Sequence, residues 1–298
     1  MKLTNITVIK ELMSRHGVSF TKSLGQNFLI NPSVCPKMAG VKTSGRVAVE
    51  IGAGIGVLTR ELSKTADKVI VIEIDESLKP ILAETLADCG NVEIIWGDVL
   101  EVDLHKVLEE RKAERFDICA NLPYYAATHI IMKLLEFSAQ GSVCLNSITV
   151  MVQHEVAQRF TALPGSKQYG IVSVAARFYS EPEMLFKVSR GSFFPAPNVD
   201  SAVIRLNIPP QKKYSLSGEH GENQDKQFFR LVKSAFSERR KQLCNPVSKE
   251  FILCGIGKED VRHALEAIGK NPASRAEELS VEEFINLYEN ISNRIIVR

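Results

Sequence analysis

Val47-Ala-Val-Glu-Ile-Gly-Ala-Gly-Ile-Gly-Val-Leu-Thr59 begins as a short apolar run, breaks into glycines at alternate positions and resumes as an amphipathic pattern. A strand, a tight turn and the start of a helix read this way. Gly52, Gly54 and Gly56 let the backbone take positive φ and place no side chain between the turn and whatever approaches it. A ligand can therefore lie against main-chain N–H groups at the helix N-terminus. The turn is of the nucleotide-binding type.

Spacing bears on which nucleotide. A dinucleotide fingerprint wants Gly-x-Gly-x-x-Gly, whereas here the glycines run Gly-x-Gly-x-Gly behind Glu50 and Val57 follows Gly56. The turn looks like the first motif of class I S-adenosylmethionine methyltransferases, although the turn alone leaves a dinucleotide open.

Downstream the chain alternates strand and helix. Lys68 to Asp75 holds the run Val-Ile-Val-Ile closed by Glu73 and Asp75, the pattern of a buried parallel strand. Glu73 stands at about the distance from the turn where such folds place the acid that accepts ribose hydroxyls. Asp75, ahead of Glu76-Ser77-Leu78, fits a helix cap better. Val92 to Trp96 is the third strand and ends in Gly97-Asp98, which puts Asp98 on the same rim. The fourth, Phe116 to Ala120, runs into Asn121-Leu122-Pro123-Tyr124-Tyr125, where proline fixes the backbone and an aromatic follows. Strands at Ser147–Val152, Met184–Val188 and Ser201–Ile208 complete an expected seven-stranded sheet, with helices at Gln153–Phe160 and Tyr169–Phe178. Phe193-Phe194-Pro195-Ala196-Pro197 reads as a stiff loop with exposed aromatics. At the N-terminus Ile6, Ile9 and Leu12 recur at helical spacing.

Pro209-Pro210 ends the first domain, so the expected division is 1–210, a polar linker at 211–225 and a helical domain at 226–298. In the last, Lys226 to Leu243 is expected as one helix, with Phe229, Val232, Phe236 and Leu243 on its apolar stripe. Lys233, Arg239, Arg240 and Lys241 supply positive charge along it. Ser280 with Glu283 is a capping box. The expected fold class is α/β, Rossmann-like with a mostly parallel sheet, plus a small all-α domain.

The bulk composition narrows the classes. Over 298 residues the net charge is +2, so no global field announces nucleic acid and any basic surface is local. The six cysteines include no Cys-x-x-Cys pair and the six histidines show no ligand spacing, so neither a disulfide framework nor a metal site is expected. A signal peptide and a membrane-spanning run are absent from the pattern, which makes a cytoplasmic location the expectation.

With these residues in view the chain resembles, over nearly its whole length, the KsgA family of small-subunit ribosomal RNA adenine N6,N6-dimethyltransferases. The matching segments are Lys22-Ser-Leu-Gly-Gln-Asn-Phe-Leu29, Val49 to Thr59, Val71-Ile-Glu-Ile-Asp75, Gly97-Asp98, Asn121-Leu-Pro-Tyr124, Pro164-Gly-Ser-Lys-Gln-Tyr-Gly170 and Phe194 to Val203. Each is common alone; their joint order is specific. The resemblance implies methyl transfer from S-adenosylmethionine to the N6 amines of two adjacent adenines near the 3′ end of small-subunit ribosomal RNA, without a metal. It implies a monomer working on a pre-30S or 30S particle, with a role in subunit biogenesis.

The resemblance also implies site residues. Gln26, Asn27, Leu29, Gly52, Gly54, Glu73, Ile74, Asp98, Val99 and Asn121 are expected to hold the donor, with Glu73 on its ribose and Asp98 near its adenine. Asn121, Leu122, Pro123, Tyr124 and Phe193 are expected around the target base; the doubled Phe193-Phe194 leaves open which ring stacks. Lys22, Lys233, Arg239, Arg240 and Lys241 are expected on RNA, and Cys244-Asn245-Pro246 departs from the family's usual basic continuation. Three alternatives stand beside this reading: a large-subunit adenine dimethylase of the antibiotic-resistance type, a non-catalytic assembly factor and, third, a nicotinamide oxidoreductase. Arg275-Ala-Glu-Glu-Leu-Ser280 and the basic tail argue against the first, the set Glu73, Asp98, Asn121 and Tyr124 against the second, and Val57 together with Asn121-Leu-Pro-Tyr124 against the third.

Overall fold

The computed structural model describes residues 1–19, 26–40, 47–140, 144–214, 216 and 224–296; Lys22 lies outside the described residues. In chain order the elements are α1 (Ile6–Arg15), β1 (Phe28–Leu29), α2 (Val34–Ala39), β2 (Val47–Ile51), α3 (Val57–Ser63), β3 (Lys68–Glu73) and α4 (Lys79–Thr85). They continue with β4 (Val92–Trp96), α5 (Leu104–Glu110), β5 (Arg115–Asn121), α6 (Ala127–Ser138), β6 (Cys144–Gln153), α7 (His154–Thr161) and α8 (Ile171–Tyr179). The remainder are β7 (Glu181–Val188), β8 (Phe193–Phe194), β9 (Ser201–Asn207), α9 (Gln224–Ser237), α10 (Cys244–Phe251), α11 (Lys258–Ala267) and α12 (Val281–Ile296). Contacts divide them into two units, 1–158 with 180–211, and 159–179 with 212–298.

The first unit is built on the expected seven-stranded sheet, in the order β4-β3-β2-β5-β6-β9-β7. β4, β3, β2, β5 and β6 run parallel, β9 pairs antiparallel with β6, and β7 pairs antiparallel with β9 and so runs in the direction of the first five. Val69, Ile70 and Val71 are fully buried, which explains the unbroken apolar run: a strand covered on both faces has no reason to alternate. The strand order reverses between β2 and β5, so the connections leaving those two strands diverge and open a crevice at their carboxyl ends. Both β2 and β5 end in the motifs that the sequence singles out. The N-terminal helix is tied to the sheet unit by Glu84 of α4, whose carboxylate accepts from Arg15 at 2.5 Å and His16 at 2.7 Å.

All three turn glycines take positive φ: 75° at Gly52, 57° at Gly54 and 87° at Gly56. At Gly56 a β-carbon would also lie 3.0 Å from Leu86 Cδ2 and 3.2 Å from Thr85 Oγ1. Gly56→Ala therefore combines a left-handed backbone with a crowded contact, and the expected loss is about 1–3 kcal/mol. A lower urea midpoint with an unchanged m-value is the expected readout.

The second unit is helical, and it differs from the expected 226–298 by taking in residues 212–225 of the expected linker and one segment from earlier in the chain. Arg159–Tyr179, expected inside a 1–210 domain, belongs to this unit. The reason is its aromatic face: Phe178 stacks on Phe228 at 4.9 Å and meets the edge of Phe229 at 5.3 Å, while Tyr169 is wholly buried against Phe236. Such rings bury a large apolar area, which outweighs sequence order in deciding where a segment packs.

The expected helix 226–243 is also corrected. α9 stops at Ser237, and Leu243 N–H donates to the Ser274 carbonyl at 2.9 Å, a tertiary bond that a continuous helix would forbid. Its buried residues are Phe228, Leu231, Val232, Ser234 and Ala235, with Phe229 and Phe236 packed at their margin. Cys244-Asn245-Pro246 opens α10, where a proline in the first turn lacks only an N–H with no helical partner. The Ser280–Glu283 capping box forms as expected, at 2.8 and 3.2 Å.

Candidate functional site

The parallel strands deliver Ile51, Glu73, Trp96 and Asn121 to one rim. Around it a crevice is lined by Gln26, Asn27, Phe28, Gly52, Gly54, Glu73, Ile74, Leu78, Asn121, Leu122, Pro123, Tyr124, Tyr125 and Phe193. Leu29, Asp98 and Val99 are not among its walls. Leu29 and Val99 are buried, and Asp98 stands one residue beyond Gly97, whose N–H donates to the Glu73 carbonyl at 2.9 Å. Asp98 thus adjoins the Glu73 end of the crevice rather than lining it.

Glu73 is pinned at the end of β3. Its two carboxylate oxygens accept from Gly54 N–H at 3.1 Å and Asp75 N–H at 2.9 Å. Burial raises this carboxyl above the usual range, and the amides of Asp75 and Gly54 pull it back. Asp75 is the cap that the sequence suggests, accepting from the Ser77 N–H at 3.1 Å and hydroxyl at 2.6 Å. Its second oxygen accepts from the Gln26 amide at 2.5 Å, which draws the N-terminal motif onto the rim.

At Gly52 nothing stands within 4 Å of the place a β-carbon would take, while Gly54 faces the Phe28 ring at 3.2 Å. The turn therefore leaves an open cradle along its backbone beside a pinned acid. That arrangement fits an adenosine-bearing ligand, with the ribose against Glu73 and the chain beyond it against Gly52.

Across the crevice, the chain leaves β5 at Asn121, and Leu122 N–H donates to the Met151 carbonyl at 3.2 Å. The Pro123 carbonyl accepts from Ala126 and Ala127 and starts α6. Among the described residues no hydrogen bond engages the Asn121 side chain or the Leu122 carbonyl, and both residues line the crevice. Tyr124 is fixed by a 2.7 Å hydrogen bond between its hydroxyl and that of Ser201. Burial raises its phenol above the usual range.

Phe193 and Phe194 are not the exposed aromatics that the sequence suggests. Phe193 is 3% exposed, because β8 pairs with β1 and sets Phe193 opposite Leu29. It still presents to the crevice, whereas Phe194 does not line it. Ser201 carried no signal of its own, since a serine at a strand start is ordinary.

In the helical unit the four basic residues part company. Arg239 Nε pairs with Glu277 at 2.7 Å, and the same guanidinium donates to the Lys167 carbonyl at 2.5 Å. Lys241 pairs with Glu238; of the four, Lys233 and Arg240 are the two exposed with no partner among the described residues. Arg239 therefore braces the turn at Pro164–Gly170. The signal that separates it from Arg240 is the acid at Glu277, remote in sequence.

No metal-ligating cluster occurs among the described residues, and no helix there is long and apolar enough to cross a membrane.

A glycine turn at the switch point of this sheet, a pinned acid on the next strand and paired acceptors after the fourth define a class I S-adenosylmethionine-dependent methyltransferase fold. Solved structures agree: the 23S rRNA methyltransferase ErmE aligns with a TM-score of 0.65 at 24% identity, covering 89% of this chain and 100% of that one. A dimethyladenosine transferase from Plasmodium falciparum aligns with a TM-score of 0.68 at 24% identity, covering 87% and 95%. At that identity both speak to the fold. The chain belongs to the ribosomal RNA adenine dimethylase family, which it matches over residues 17–293. Among curated relatives, the ribosomal RNA small subunit methyltransferase A of Clostridioides difficile (strain 630) is 39% identical over 297 residues, 99% of this chain and 98% of that one. That of Geobacillus thermodenitrificans (strain NG80-2) is 44% identical over 283 residues, 93% of each.

Proposed function

We propose that the protein transfers methyl groups from S-adenosylmethionine to the N6 amines of two adjacent adenines near the 3′ end of small-subunit ribosomal RNA. It acts in the cytoplasm, as a monomer, on a 30S precursor during subunit biogenesis. The observation that carries the reading is the pair of free acceptors, Asn121 and Leu122, beside an open glycine cradle. The full-length likeness to small-subunit enzymes supports the substrate class.

The donor, when bound, supplies an electrophilic sulfonium methyl; the protein's part is to hold and aim the nucleophile. An exocyclic adenine amine is weakly nucleophilic because its lone pair is delocalised into the ring. Asn121 Oδ1 and the Leu122 carbonyl each accept one of its N–H groups, which favours a pyramidal nitrogen with its lone pair turned toward the methyl. The nitrogen becomes acidic only on methylation, so the site has no need of a strong base. Tyr124 and Phe193 flank the flipped base, whose removal from its stack costs about a few kcal/mol. Gln26, Asn27, Gly52, Gly54, Glu73, Ile74 and Asp98 hold the donor.

Labelled S-adenosylmethionine offered with unmethylated small or large subunits, followed by mapping of the products, tests the assignment. Dimethylation of adjacent adenines near the small-subunit 3′ end is expected. Label in large-subunit RNA overturns the substrate, and no label with donor binding intact overturns the activity.

The helical unit is proposed to grip RNA phosphates through Lys233 and Arg240. Removing both charges is expected to reduce the salt dependence of RNA binding by about 1–2 in slope. Arg239→Ala is expected to cost about 1 kcal/mol of stability through its bonds to Glu277 and Lys167, with the slope nearly unchanged. A slope that falls for Arg239 and holds for Arg240 reverses the assignment.

A further inference from the structure

Asp98 is presented by a turn that ends at Val102, and the turn has two sides. On one, its N–H groups close on Asp98: Leu100 donates to the carboxylate at 2.8 Å, and Glu101 and Val102 donate to the Asp98 carbonyl at 2.9 Å each. On the other, three carbonyls of the same turn converge on a single cation. Lys133 Nζ donates to the carbonyls of Val99 at 2.9 Å, Leu100 at 2.7 Å and Val102 at 3.3 Å. An ammonium has three N–H groups, and all three are spent here. Converging carbonyl dipoles repel one another unless a positive charge sits between them, so the ammonium determines whether this turn is one shape or several.

We propose that Lys133 is the positioning residue of the donor site, holding the turn that sets Asp98 beside the donor's adenine. The inference rests on the reading of Asp98 given above and names the group that makes it work. Lys133 lies on α6, which starts at Ala127, with two residues between it and Asn121-Leu122-Pro123-Tyr124, and whose first N–H donates to the Pro123 carbonyl. From Ala127 to Lys133 the helix rises about 9 Å. One rigid element therefore carries the target-base residues at its start and the lock on the adenine turn less than two turns later. The turn is in turn joined to Glu73 through the Gly97 N–H. A displacement of α6 moves both halves of the site together, which keeps the methyl and the amine in register.

The test uses the full chain with Lys133→Met, which keeps the aliphatic stem and removes the ammonium, and Lys133→Arg, which keeps the charge. Hydrogen exchange at the Glu101 and Val102 amides reads the turn, and calorimetry with S-adenosylhomocysteine reads the donor site. For Lys133→Met, faster exchange at both amides is expected, with donor affinity down about tenfold, equivalent to ~1.4 kcal/mol. The Michaelis constant for the donor is expected to rise by a similar factor while kcat at saturating donor stays within about twofold. Lys133→Arg is expected to recover most of the affinity. Unchanged exchange in Lys133→Met overturns the lock, and faster exchange with unchanged affinity overturns its role at the donor site. Asp98→Ala separates the two layers: if it leaves donor affinity untouched, the reading of Asp98 has failed, whatever Lys133 does to the turn.

Discussion

Asn121→Ala is expected to lower methyl transfer by about 10²–10³-fold, which is the effect of removing one of a small set of oriented polar groups from a transition state. The reasoning begins with the amine. Two N–H groups must be held to turn the nitrogen lone pair out of the ring, and the site offers two acceptors, one from a side chain and one from the main chain. Deleting the side chain leaves the Leu122 carbonyl to hold one N–H and frees the other, so the lone pair returns to conjugation. Donor affinity is expected to change far less, because Glu73, the Gly52 cradle and the Gln26 motif lie on the other side of the crevice. Asn121→Asp retains an acceptor at the same place and is expected to keep more activity than the alanine variant. Single-turnover transfer to unmethylated small subunits, with donor affinity measured in parallel, separates the two effects. Full transfer by Asn121→Ala removes the residue from the mechanism.

What makes Asn121 identifiable before any coordinates is that its chemistry is local. Strand, proline and aromatic follow one another without interruption, and the rim of a parallel sheet is implied by the apolar runs on either side. The glycine turn is legible for the same reason, since positive φ is a property of single residues. Other parts of the site depend on partners far away in the chain. Phe193 reads as exposed because its burial comes from Phe28-Leu29, more than 160 positions earlier, through a two-residue ladder too short to leave a pattern. Arg239 reads as one more charge in a basic run, and only Glu277 turns it inward. Lys133 sits in an apolar helix as an ordinary solvated lysine would, and its three carbonyl partners carry no side-chain signature. The assignment of Arg159–Tyr179 to the helical unit was illegible on the same ground. Helical spacing announces an apolar face and is silent about which domain covers it.

The second large effect is expected at Glu50, and it concerns stability. Glu50 is 1% exposed on β2, and among the described residues its Oε2 has no hydrogen-bond partner. Burial pushes its carboxyl from 4.5 to about 8. The folded protein therefore keeps this proton through a range in which the unfolded chain has released it. Between about pH 4.5 and pH 8 the unfolded state binds fewer protons, so stability falls as pH rises, by about 1.4 kcal/mol per unit, and levels off above the folded-state value. Near pH 7 the accumulated cost is about 3 kcal/mol. Glu50→Gln is neutral at every pH and nearly the same shape, so it is expected to match the natural protein near pH 4. Its advantage in urea denaturation should grow steadily toward pH 8, reaching ~3 kcal/mol at neutrality. Parallel stability profiles for the two proteins across that window would mean that Glu50 is already ionised in the fold. A cost of this size on a central strand, where an aliphatic side chain would pack without penalty, is the kind of local inconsistency that accompanies a working site. Glu50 lies two residues before Gly52, at the point where the strand opens into the donor cradle. The carboxyl that weakens the sheet is the one nearest in sequence to the turn that the rest of the rim is arranged around.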